Sequence, residues 1–120
     1  MSSVRTPTAA ELCDAPNENA FFEAERTILA LPSDDALALL LAVIAAANEG
    51  RSVVGDPLTA ALVLGKLKRP EATGPLARMF VRLQRAGWPG GRSGELTLTQ
   101  ALRALNPGKK LKQVLRENAD

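Results

Sequence analysis

At 120 residues the chain has the length of one domain, and its 46% hydrophobic content excludes a disordered polymer, while three phenylalanines and one tryptophan leave the core to Leu, Ala and Val. The absence of histidine and tyrosine removes the commonest general base, most nitrogen-ligated metal sites and every Ser-His-Asp arrangement, so neither an enzyme nor a cofactor is expected. The net charge of +2 hides a division, because residues 1–50 carry a net −6 and residues 51–120 a net +8, the pattern of a basic surface for a polyanion or of two halves that pair.

Residues 1–16 mix Ser, Thr, Pro and Ala without a period and read as a flexible leader before a single helical domain over 17–120. The start lacks the basic-then-apolar order of a secretory signal, and the lone Cys13 excludes an internal disulfide, so a cytoplasmic protein is expected. The first helix is predicted from Asn17 to Leu31, with Phe21, Phe22, Ile28 and Leu29 on its apolar side and Pro32 as its stop. Ser33 or Asp34 then caps a second helix that is apolar on nearly every face, which predicts a central position, and Gly50 ends it. Its apolar run, Ala36 to Ala47, is too short to cross a bilayer.

Arg51 to Val54, RSVV, is β-branched and short and predicts one brief strand. Asp56 and Pro57 mark the clearest helix start in the chain, a capping carboxylate followed by a proline whose missing N–H costs nothing at the first position. Within this helix Gly65-Lys66 resembles a phosphate loop, but Ala60 and Leu67 stand where the motif needs Gly and Ser or Thr. Pro70, Gly74 and Pro75 interrupt, after which Leu76, Met79, Phe80 and Leu83 recur at helical spacing until Gly87. Glu95, Thr97 and Thr99 alternate with Leu96 and Leu98, predicting the return strand of a hairpin tipped by Gly90, Gly91 and Gly94. A short helix from Thr99 to Leu105 and a basic helix from Lys109 to Glu117 complete the chain.

The order helix, short strand, helix, helix, hairpin resembles the winged-helix family of DNA-binding domains, and "RLQRAG…GRSGELTLTQALRAL" resembles the helix-into-wing segment of the MarR-like regulators. The resemblance covers roughly residues 34–105, with DPLTAALVLGKL as positioning helix, TGPLARMFVRLQRAG as recognition helix and WPGGRSGELTLT as wing. It implies a mainly α fold with a small β-hairpin, a winged-helix-like single domain, and a transcriptional regulator that binds duplex DNA as a homodimer joined through its first or last helix. It also places Arg92, in the wing, on the phosphate backbone or minor groove.

Helical geometry adds an argument of its own. Arg78, Arg82 and Arg85 fall within one narrow sector, opposite the apolar residues of the same helix. Guanidinium groups match phosphates and guanine edges, so these three are the candidate DNA contacts, with Arg92, Lys66, Lys68 and Arg69 in support. The alternative is a helical protein-interaction adaptor or regulatory subunit whose acidic and basic halves meet different proteins.

Overall fold

The computed structural model describes residue 12 and residues 14–51, 56–89 and 91–118. Among the described residues six α-helices of known bounds follow one another: α1 (Glu18–Leu29), α2 (Ser33–Asn48), α3 (Pro57–Leu67), α4 (Thr73–Arg85), α5 (Ser93–Leu105) and α6 (Leu111–Asn118), with a 3-10 turn at Pro70–Ala72. No strand occurs among the described residues. The expected strand at RSVV lies, apart from Arg51, outside them, as does Cys13.

The hairpin, and with it the winged-helix architecture, is overturned by α5. Its residues Ser93–Leu105 cover the whole of the expected return strand. Leu98 and Leu102 are fully buried and Ala101 nearly so, with Leu105 packed beside them, a helical stripe that outlasts the five-residue alternation. Leu96, expected to share a face with Leu98, is instead 59% exposed. The reason is local: Pro89 and the glycines beside it offer no partner strand, and one unpaired strand leaves its backbone groups unsatisfied.

Four helices close a ring. α2 packs on α3, α3 on α5, α5 on α4, and α4 back on α2, while α1 leans on α2 and α6 fills the outer side of α4 and α5. The core inside is aliphatic, with Leu40, Ile44, Val63, Leu64, Leu76, Met79, Leu98 and Leu102 fully or almost fully excluded from water. Leu12 is buried there too. The one described tryptophan, Trp88, packs edge-on against Phe80 with ring centroids 4.9 Å apart. The expected central helix α2 is one of four ring members, and its outward residues Ala38 and Ala42 are exposed. More consequentially, α3 and α4 stand across the ring from each other and make no extended contact, so they are not the packed pair of a helix-turn-helix.

Residue chemistry sets several of the helix ends. Asn17 accepts from the amide of Ala20 at 2.9 Å to start α1, and Asp56 accepts from Leu58 at 2.9 Å to start α3. α4 ends in a Schellman turn: Gly87, at φ +79°, allows Trp88 N–H to donate to Leu83 O at 2.9 Å and its own N–H to Gln84 O at 3.1 Å. Gly50 ends α2 by the same pair of bonds. The expected cap of α2 is not made, because Ser33 already belongs to the helix and its hydroxyl, with Asp34, is engaged by Arg69. Asn48 Nδ2 donates to Pro75 O at 3.1 Å, tying the end of α2 to the start of α4. No helix among the described residues is long and apolar enough to cross a membrane.

Candidate functional site

α4 divides as its periodicity predicts. Leu76, Met79 and Phe80 are buried and Leu83 is half-buried, while Arg78, Arg82 and Arg85 on the other side are exposed. None of the three forms an ion pair among the described residues. Gly74 leaves room for Arg78, whose Nη1 lies 3.6 Å from where a Cβ on that glycine would stand. Arg82 and Arg85 occupy the last turn, where the negative end of the helix dipole favours cations, so they have a structural role as well.

Arg92 is exposed and directly precedes α5. With the wing absent, it stands at the positive end of a helix, where a cation is disfavoured by a few tenths of a kcal/mol to about 1 kcal/mol. Glu95, in the first turn of α5, offsets part of that field.

The remaining expected site residues do not join this face. Lys66 Nζ binds both carboxylate oxygens of Glu25 on α1, at 2.9 and 3.0 Å. Arg69 donates to Ser33 Oγ at 2.7 Å, pairs with Asp34 at 2.8 Å and grips Glu71 through its remaining edge. Those hydrogen bonds hold the Glu71 carboxyl below its ordinary range and the Arg69 guanidinium above its own. Lys68 is exposed at the left-handed C-cap of α3, φ 58°. Two of the seven residues thus stitch the acidic half to the basic half, and five remain exposed to solvent.

The charge division survives this pairing. From Thr73 to Asn118, across α4, α5 and α6, nine Arg and Lys side chains face two carboxylates, Glu95 and Glu117. Arg103, Lys110, Lys112 and Arg116 fall outside the site expected from the sequence, although the same count along the chain points to them. All four are exposed. No known family model, curated protein or solved structure matches the chain.

Proposed function

We propose that this is a non-enzymatic, cytoplasmic protein that binds duplex DNA through the phosphate backbone, with Arg78, Arg82 and Arg85 as the principal contacts. The observation that carries the reading is the split face of α4: three guanidinium groups project from a helix anchored by Leu76, Met79 and Phe80, and none is consumed by a carboxylate among the described residues. The rise of the helix spaces Arg78 and Arg85 by roughly 10 Å, enough to meet successive phosphates. Arg92 supports the reading because its position before α5 is unfavourable for the isolated protein and favourable beside an anion. Without a wing or a helix-turn-helix, backbone contacts dominate, so the expected binding is steeply salt-dependent. Transcriptional regulation is the use that follows if the protein proves selective among duplexes. The test is retention on heparin together with a shift of labelled duplex at two salt concentrations; failure to bind at the lower one removes the reading.

A second reading, a helical adaptor, is favoured by Phe22, 50% exposed on α1 and stacked edge-on with Phe21 at 5.5 Å. Its signature is a protein partner, or a second copy joined through α1, retained in the presence of excess competitor DNA.

A further inference from the structure

A groove of about 780 Å³ lies between the end of α5 and the segment leading to α6, lined by Thr99, Arg103, Asn106, Lys109 and Lys110 among others. Among the described residues, three cations and no carboxylate line it. Lys109 is neutralised from outside, its Nζ 3.1 Å from Glu117. Arg103 and Lys110 are exposed and have no ion-pair partner among the described residues. Arg103, in the last turn of α5, is favoured by the helix dipole, but Lys110 directly precedes α6, where a cation is disfavoured, and the two like charges repel across the concavity. An anion between them removes that repulsion. Asn106 is not available to such an anion, because its amide donates to Leu102 O at 2.9 Å and reaches Thr73 Oγ1 at 3.3 Å.

That last hydrogen bond places the groove beside the first residue of α4. Arg78 folds back over the neighbouring Gly74, on the same first turn of α4. The volume falls within the range of ligand clefts and exceeds what one phosphate needs, which suits a phosphodiester with its flanking sugars.

We infer that this groove is a second phosphate-binding site, with Arg103 and Lys110 as its charged contacts, taking a backbone phosphate of the duplex held by α4. The inference rests on the DNA-binding reading for the source of the phosphate, and the shared chemistry would also admit free phosphate. The test compares the whole chain, an Arg103→Gln/Lys110→Gln variant and an Arg78→Ala/Arg82→Ala/Arg85→Ala variant by fluorescence anisotropy of a labelled duplex over a salt series. Both substituted positions of the double variant are exposed, so it keeps its helical circular dichroism. Its log-log salt slope becomes shallower by about 0.9, the contribution of the one phosphate the groove holds. An unchanged slope in the double variant, with affinity and slope both reduced in the triple variant, overturns the groove and leaves the α4 reading intact. A parent that ignores duplex at low salt while inorganic phosphate shifts the amide resonances of residues 103–110, an effect absent from the double variant, overturns the α4 reading and keeps a phosphate site fed from solution. If neither probe binds, both are overturned.

Discussion

Gly65 on α3 and Ala101 on α5 approach so closely that a Cβ on the glycine would stand 3.0 Å from Ala101 Cα and 3.2 Å from its Cβ. The ring closes at this point by the omission of a side chain. Gly65→Ala is therefore expected to push the two helices apart and destabilise the protein by about 1–3 kcal/mol, read from the urea midpoint. Adding Ala101→Gly recovers only part of the loss, because the backbone of residue 101 still crowds the added methyl group. Gly74→Ala is the control for crowding: its Cβ meets only Arg78 Nη1 at 3.6 Å, an ordinary van der Waals distance, so no helix is pushed apart. The cost, set by a Cβ in helical backbone directly before Pro75, is expected to be smaller than at Gly65.

Phe80→Ala leaves a cavity under α4 and removes the ring against which Trp88 packs. The expected cost is about 3–5 kcal/mol. Since the chain has a single tryptophan, its emission reports the site directly, and a red shift at temperatures where the helices persist is expected. Unchanged emission and stability would contradict the packing described.

The Arg78→Ala/Arg82→Ala/Arg85→Ala variant is expected to stay folded, since all three side chains are exposed. Its affinity for duplex falls, and the log-log salt slope becomes shallower by about 2.7 if each arginine releases the counterions of one phosphate. Arg92→Ala should lower the slope by about 0.9 without loss of thermal stability, because it removes a cation from the positive end of α5. A triple variant that binds like the parent ends the case for α4.

Acid should separate the parent from Glu71→Gln. Hydrogen bonds from Arg69, with a smaller backbone contribution, keep the native Glu71 carboxyl below its ordinary pKa. The unfolded chain therefore takes up this proton at a higher pH than the folded one. The stabilisation is complete above the unfolded value, about 4.3, and is lost as pH falls through the lower native value. The urea midpoints of parent and variant are expected to differ near neutrality and to converge in acid. The pair is solvent-exposed, so the difference is small and shrinks with salt.

What the sequence made legible were the ends and faces of helices that carry their own chemistry. Asn17, the Asp56-Pro57 pair and Gly87 do locally what their residue types predict, and the opposed faces of α4 follow from spacing alone. At Ser93–Leu105 five alternating residues suggest a strand, but the helical stripe Leu98, Ala101, Leu102, Leu105 that overlaps them is the longer pattern and prevails. Lys66 and Arg69 escape sequence reasoning for a different reason: their partners, Glu25 and Asp34, lie 41 and 35 positions away, and no local signal reports a pairing at that separation. The groove at Arg103 and Lys110 likewise exists only once α5 has turned toward α6.

The ring has a consequence for the order in which the protein is made. α3 presents Val63 and Leu64 to the interior, yet the helix that covers its far side, α5, is synthesised about thirty residues later. A nascent chain that has released α4 but not α5 holds an open arc of three helices with an aliphatic edge exposed. Helices form in microseconds, but their docking must wait for the last ring member, so native packing is completed only once α5 has emerged. Chains truncated between Gly87 and Gly91 are accordingly expected to be helical, poorly packed and prone to aggregate.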